Sequence, residues 1–309
     1  MATSYNGYRR DRMSELAILE RARTFIYSNA RLIDRRRFEF TFQDGSPEAV
    51  IDALCAYQNP DGGFGNALEP DIRCPHSQPV PTEIALMVLD EVRQFDSDVL
   101  DGIIRYLRNV TLPAGGLPWI FSIGSDYPRS PWWVADAQAQ PSVNPIGRIL
   151  GLLYKQNVRD DFYGEPWFVK SVEYLWRSFE HETPHGYHDG IQWVTFLQET
   201  PEQDRAAKIW SVLKVWFRQK GTIETDPHAT GYVQKVLDWA PTSDSFARQF
   251  VVSADVEAHL DALIHQQQED GGWPINFPPL SPGVHMEWRG CVTVDRLKTL
   301  RSYGILDSW

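Results

Sequence analysis

Leu54-Cys55-Ala56-Tyr57-Gln58-Asn59-Pro60-Asp61-Gly62-Gly63-Phe64 and Leu263-Ile264-His265-Gln266-Gln267-Gln268-Glu269-Asp270-Gly271-Gly272-Trp273 are two versions of one unit. Leu, Gln, Asp, Gly-Gly and an aromatic recur at identical spacing; Ile51 and Leu260 match three residues upstream, Pro70 and Pro279 downstream. Self-similarity of this kind marks a repeat architecture. Apolar residues at i and i+3 that run into Gly-Gly read as an amphipathic helix, ended where glycine takes the left-handed conformation.

A third copy has Ile104, Leu107 and then Gly115-Gly116, without the Gln and Asp; a fourth has Trp210, Leu213 and Gly221. A fifth, around Val172 and Leu175, reaches glycine only at Gly186. Beyond each turn comes a more apolar helical stretch, at 82–95, 142–157, 190–198, 229–239 and 290–303, with 14–28 as a sixth. The markers Leu54, Leu107, Leu175, Leu213 and Leu263 follow one another at about fifty residues, room for a helix pair and its loops. Strand signals are almost absent. An open row of such pairs would leave apolar ends exposed, whereas five or six can close on themselves. The expected fold is all-α, a two-layer (α/α)5-6 toroid forming a single domain over 1–309.

Lys and Arg number 30 against 41 Asp and Glu, a net charge of -11, which lacks the basic footprint a phosphate backbone requires. Nucleic acid is excluded as a partner. No run approaches the ~18 uncharged apolar residues of a membrane span, and the polar, basic start has no apolar signal core. No integral membrane segment is expected, and a cytoplasmic location is. Cys55, Cys74 and Cys291, with no CxxC spacing, suit a reducing compartment better than a disulfide scaffold. Twelve tryptophans are more indole than a core of this size needs, so a ligand cavity or a repeated structural Trp must account for them.

Gln267-x-x-Asp270-Gly271-Gly272-Trp273 and its Phe64 counterpart resemble the QW repeats of squalene–hopene and oxidosqualene cyclases, and the glycine-rich repeats of protein prenyltransferase β subunits. The resemblance implies an (α/α) toroid whose repeats clasp outer to inner helices. It implies an isoprenoid or similarly apolar small-molecule substrate, with or without a diphosphate, and calls for no cofactor in the cyclase case. Class II cyclases protonate an alkene or epoxide with a DxDD motif; a carboxyl in an apolar cavity keeps its proton because desolvation disfavours the anion. This chain has no DxDD, and reads Val80-Pro81-Thr82-Glu83 where the motif would lie. Glu83 falls near the final carboxylate and is the preferred proton donor, with Asp71 or Glu69 as substitutes. Prenyltransferases instead hold zinc with Asp, Cys and His; Cys291 and Asp295 are four residues apart, outside that pattern, and no metal site is assigned. Asp160-Asp161-Phe162-Tyr163-Gly164-Glu165 reads as a solvated acidic turn.

The connection 65–81 is too rich in proline for helix and carries Glu69, Asp71, Arg73 and His76. It reads either as a functional rim loop or as a salt-bridged cap. Its counterpart places His285, Glu287, Trp288 and Arg289 immediately before the last inner helix. Asp71, Glu69, His76 and Glu287 complete the catalytic candidates around Glu83. Arg73, Arg148 and Arg289 are candidates for an anionic head group. Asn144, His188, Asp226, His228 and His285 are further rim candidates. Trp119, Trp132, Trp133, Trp193 and Trp288 either line a cavity, where ring faces stabilise a carbocation by about 0.5–2 kcal/mol each, or pack as ordinary core and sugar-stacking surface. Trp273 belongs to the structural repeat.

Acid-initiated cyclisation in a central aromatic cavity is therefore the leading expectation, an isomerase- or lyase-type enzyme. A carbohydrate lyase or hydrolase of the (α/α) class stands beside it, given the histidines and tryptophans. A non-catalytic ring that binds a lipid or partner is the third reading.

Overall fold

In the computed structural model, which describes residues 12–95 and 98–306, every regular element is a helix or a short 3-10 turn. The order is α1 (Arg12–Asn29), α2 (Leu32–Phe42), α3 (Pro47–Cys55), α4 (Pro79–Val92), α5 (Asp98–Val110) and α6 (Val143–Lys155). It continues with α7 (Pro166–His181), α8 (Tyr187–Glu199), α9 (Gln203–Phe217), α10 (Val236–Trp239), α11 (Ser253–His265) and α12 (Pro282–Ser302). No strand occurs among the described residues, and none of their helices is long and apolar enough to cross a membrane.

The helices follow from apolar spacing. On α5, Val99, Leu100, Ile103, Ile104 and Leu107 are buried on one face while Asp101, Arg105 and Arg108 stay exposed. Each such aliphatic chain contributes about 1.5–3 kcal/mol when removed from water. Proline marks several starts, in the first turn where its missing N–H costs nothing: Pro79 on α4, Pro166 on α7 and Pro282 on α12.

Three of the expected boundaries move. The 65–81 connection gives way to helix already at Pro79. On α12 the Ser281 side chain accepts from Val284 N and Pro282 opens the first turn. His285, Glu287, Trp288 and Arg289 consequently stand within the first turns of that helix, and the loop expected to carry them ends before it. The stretch expected as helix over 229–239 forms only α10: Gly231 bends the chain at φ +86° and residues 229–235 are irregular. Conversely, α2 lies outside the expected helices. Its Leu32-Ile33-Asp34-Arg35-Arg36-Arg37-Phe38-Glu39-Phe40-Thr41-Phe42 mixes charges with alternating phenylalanines, so no 3.6-residue stripe stands out.

The chain divides into two compact units, one of residues up to Val50 together with those from Ile223, the other Ile51–Thr222. In the first, α1 packs on α12 and α2, α12 on α2, and α10 on α11. Phe25, Phe38, Phe42, Leu260, Trp273 and Leu297 are among its core. In the second, α6 lies between α4 and α8, α7 packs on α5 and α6, and α9 on α8. Gly147 and Gly151 on α6 make the closest of these approaches possible: a Cβ at Gly147 would stand 2.7 Å from Gln192 Cβ, and one at Gly151 2.9 Å from the Thr195 carbonyl.

Candidate functional site

Three turns share one geometry. In the first, Asn59 N donates to Gly63 O (2.9 Å) and Gly62 N to Asn59 O (2.8 Å); in the last, Gln268 N donates to Gly272 O (2.9 Å) and Gly271 N to Gln268 O (2.9 Å). The Gly115 turn repeats the pattern, with Leu112 N to Gly116 O at 3.0 Å. At Gly62, Gly115 and Gly271, φ is +95°, +91° and +94°, and a Cβ would overlap the carbonyl oxygen of Gly102, Lys170 and Arg21 respectively. Each turn thus docks on the backbone of another helix, which only glycine permits. Four residues beyond that carbonyl, an aromatic ring lies against the second glycine: Tyr106, Tyr174 or Phe25.

The repeated glutamines fasten this contact. Gln58 Nε2 donates to Gly62 O (3.0 Å) and Val99 O (3.2 Å), Gln267 Nε2 to Gly271 O (2.9 Å) and Ile18 O (3.0 Å). The aspartates cap the turns, Asp61 Oδ1 accepting from Gly63 N (3.0 Å) and Asp270 Oδ1 from Gly272 N (3.1 Å). Where the third copy lacks Asp, Ser171 Oγ accepts from Gly116 N at 2.9 Å instead. The weaker copies diverge. A Cβ added at Gly221 or Gly186 would meet nothing within 4 Å, so neither docks on a helix.

The turns also set the register of the following helix. Phe64 N donates to Thr82 Oγ1 on α4 (3.1 Å), and Trp273 N to Thr293 Oγ1 on α12 (3.0 Å). In the third copy Ser142 N donates to Leu117 O at 2.8 Å, as Gln78 N does to Phe64 O at 2.8 Å. The residue after the register-setting position is therefore Glu83 on α4, Gly147 on α6 and Val294 on α12. Only α4 places a carboxyl there.

Glu83 is 4% exposed. Its Oε1 accepts from Gln192 Nε2 on α8 at 2.6 Å and from Arg148 Nη1 on α6 at 3.1 Å. Gln192 Nε2 also donates to Asn144 Oδ1 (3.3 Å), and its Oε1 accepts from Arg148 N. Arg148 Nη1 further meets Met87 Sδ at 3.1 Å. Burial raises the Glu83 carboxyl above its ordinary value, prevailing over the Arg148 charge and the Gln192 and Arg148 hydrogen bonds, which pull it down. His188, one turn before Gln192, keeps an exposed edge; desolvation and then the Arg148 charge lower it, with Asp189 opposing. Farther along the same helices, Lys155 pairs with Asp90 at 2.8 Å, and burial raises Glu199. Glu83, Asn144, Arg148 and His188 are thus brought together, and Gln192 and Met87 join them unforeseen. Gln192 lies four residues from His188, one turn along the same helix, which is the signal that could have found it.

The other candidates lie elsewhere. Glu69 and Asp71 are buried within the 65–81 connection, whose Ile72, Cys74 and Val80 pack with Ile120 and Trp133 as a small core. Arg73 donates to Pro70 O at 3.4 Å, and exposed His76 hydrogen-bonds Tyr127 OH at 3.1 Å. Arg289 is 5% exposed and gives Asp270 two hydrogen bonds of 2.7 Å, so its guanidinium belongs to the repeat turn and does not serve as a free anion clamp. Trp193 is 1% exposed and packs on Phe179 of α7, ring centroids 4.2 Å apart, which places it in the core. Trp119 and Trp133 pack together at 4.5 Å, Trp132 is exposed, and Trp288 meets Phe277 edge-on at 5.3 Å. Asp226 and His228 share an exposed turn closed by His228 N to Asp226 Oδ1 at 2.9 Å. His285 and Glu287 are half-buried on α12.

A second polar group joins α2 to α12. Arg37 Nη2 donates to Asp295 Oδ1 (2.7 Å), Arg37 Nη1 to Asp34 Oδ1 (3.4 Å), and Arg31 Nε to Asp34 Oδ2 (2.8 Å). Cys291 Sγ lies 3.7 Å from both Arg37 Nη1 and Asp295 Oδ2, and burial, with Asp295 and Asp34, pushes its thiol up. Asp295 is raised by burial but lowered overall, Arg37 foremost. Asp161 is held by Arg159 at 2.9 and 2.7 Å in an exposed turn. Among the described residues, no three His, Cys, Asp or Glu are grouped to hold a metal ion.

No family model matches the chain, and no curated protein does. Among solved structures, it is similar in fold to a crystal structure of a protein from Actinoplanes, with a TM-score of 0.53 and 12% identity over 94% of this chain and 99% of that one.

Proposed function

We propose that the chain is an (α/α) toroid enzyme of the terpene cyclase type, in which Glu83 protonates an apolar, isoprenoid-like substrate. The observation that carries the reading is the placement of Glu83. Where two other repeats have Gly147 and Val294, this one buries a carboxyl and raises it by desolvation. The fold does not require an acid at that position, and burying one opposes stability unless it is partnered. Within each unit the repeat turns dock as the resemblance implies, the first on α5, the second on α7 and the last on α1.

Both donors converge on Oε1 of Glu83. The proton then resides on Oε2, from which it passes to the substrate's double bond while Gln192 and Arg148 stabilise the carboxylate left behind. Asn144 holds the Gln192 amide with its Nε2 toward Glu83. The test is incubation of purified protein with a panel of linear polyprenes, polyprenols and their diphosphates, with products separated by gas chromatography and mass spectrometry. Cyclised product from the wild type and none from Glu83→Gln is expected. No conversion by wild type, or equal conversion by the variant, overturns the assignment.

The Glu83–Arg148 ion pair also favours a non-catalytic reading, a buried tie between α4 and α6. On that reading Glu83→Gln loosens the fold and changes no chemistry.

A further inference from the structure

The hydrogen bonds around Glu83 leave donors over. Arg148 uses Nη1 for Glu83 Oε1 (3.1 Å) and meets Met87 Sδ with the same nitrogen (3.1 Å); its Nε and Nη2 have no partner among the described residues. Those two nitrogens form the side edge of the guanidinium, where parallel N–H groups match the two oxygens of a carboxylate. Asn144, four residues earlier, accepts from Gln192 Nε2 with its Oδ1 (3.3 Å), and its Nδ2 has no partner among the described residues. Asn144 and Arg148 thus flank the hydrogen bond from Gln192 to Glu83, each with donors unmatched.

These groups can be reached. The Arg148 side chain is 17% accessible, Asn144 is half-buried, and their unmatched nitrogens are not among the buried ones. His188, exposed on α8, is lowered first by desolvation and then by the Arg148 charge. A ring open to solvent and still desolvated stands in a recess, and Arg148 borders it. The adjoining wall is apolar: Met87 is 39% exposed one turn beyond Glu83, and half-buried Ile84 packs on the small core of Ile120 and Trp133. A cation already facing Glu83 takes a second carboxyl when one of the two stays neutral, and burial favours the proton on Glu83.

We propose that this recess binds a carboxylate, held on the Nε–Nη2 edge of Arg148 and by the Asn144 amide, with the ligand's hydrocarbon along Met87 and Ile84. The ligand is an amphipathic acid whose head lies beside the Glu83 carboxyl. A planar head with two oxygens fits the guanidinium edge, and an apolar tail covers the adjoining side chains. The inference names the substrate class of the site proposed above and rests on that reading only in calling the ligand a substrate.

Binding is measured by isothermal titration at about pH 6, where a free carboxylic acid is ionised, with three probes: octanoate, its neutral isostere octanamide, and octyl phosphate, whose head is not planar. Saturable binding of octanoate is expected, about tenfold or more tighter than that of octanamide and tighter than that of octyl phosphate. Arg148→Lys keeps the charge, removes the edge, and should weaken octanoate by about tenfold or more. Asn144→Asp keeps the acceptor for Gln192, turns the unmatched donor into an acceptor, and should weaken it to a similar degree; it decides the matter if Arg148→Lys does not fold. No saturable binding of octanoate, octanamide bound as tightly, octyl phosphate bound more tightly, or binding that both variants leave unchanged overturns the proposal. Turnover is not read. A chain that binds octanoate and cyclises nothing therefore loses only the proton-donor assignment, and one that cyclises a polyprene and binds no octanoate loses only this inference.

Discussion

Replacing Glu83 by Gln separates a neutral acid from a structural carboxylate, because the two predict opposite pH slopes. The amide keeps the shape and an acceptor oxygen for Gln192 (2.6 Å) and Arg148 (3.1 Å). Desolvation raises Glu83 in the folded chain. An acid with a raised folded pKa contributes stability that is fully present below its unfolded pKa, near 4.3, and is lost as pH rises toward the folded value. The slope from one such group is at most about 1.4 kcal/mol per pH unit. Near pH 4 the wild type and Glu83→Gln should therefore differ by less than about 1 kcal/mol, a neutral group replacing a neutral group. Above that the wild type should lose ground to the variant, and the loss should level off once Glu83 ionises in the fold. If Glu83 were instead a carboxylate held below its ordinary value by Arg148, the wild type would gain on the variant as pH rises. It would end about 3 kcal/mol ahead, the low end for unpairing a buried ion because Arg148 keeps an edge in water. Urea denaturation of both proteins from pH 4 to 8 reads the difference directly. A wild-type advantage that grows with pH refutes the reasoning.

Gly271→Ala should destabilise by about 3 kcal/mol or more, since it combines a left-handed backbone at φ +94° with overlap on the Arg21 carbonyl; Gly186→Ala, with nothing within 4 Å, should stay within about 0.5 kcal/mol in the same thermal melts. Gly147→Ala brings a methyl 2.7 Å from Gln192 Cβ and should cost about 1–3 kcal/mol through overpacking. It should also shift the Glu83 carboxyl resonance in carbon-13 NMR as Gln192 is pushed away, and an unmoved resonance would show that α6 does not set the Gln192 position.

The helical class and the two strong turns were legible because each depends on local chemistry: apolar spacing, a helix-ending glycine and a glutamine of the right reach. Glu83 was singled out for a different reason, its position near the final carboxylate of the motif it resembles, and the structure shows it buried with two donors on Oε1. Gln192 was not, because it acts on Glu83 through the packing of α8 on α6, which two glycines permit and no local pattern announces. Arg289 misled in the opposite sense. Beside His285 and Glu287 in sequence it resembles an anion clamp, yet its partner Asp270 lies nineteen residues back on the far side of a turn. Charged residues reveal their role only with their partners, and partners across a turn or between helices are set by packing. The polar group of Asp34, Arg37 and Asp295 stayed hidden for the same reason, with α2 lacking any apolar stripe to draw attention to it.

Repeats within one chain supply their own control. A feature common to the copies is what the architecture needs: a glycine at positive φ, a docking carbonyl, an aromatic one helical turn onward. The register threonines Thr82 and Thr293 belong to that set, and they fix the neighbouring side chain to within a fraction of a helical turn. Features that differ at matched positions are not demanded by the clasp, so their cost must be offset by something else. Glu83 against Val294 is one such difference, a carboxyl buried where a valine suffices. Asp61 is another, capping its turn without the arginine that closes the turn of Asp270. Both departures fall in the same unit, Ile51–Thr222, while the copy made of Asp270, Arg289 and Val294 keeps only what holds helices together. The copies therefore differ in kind: the last closes its turn with its own cation and carries an apolar side chain after the register threonine, and the first carries a buried carboxyl there.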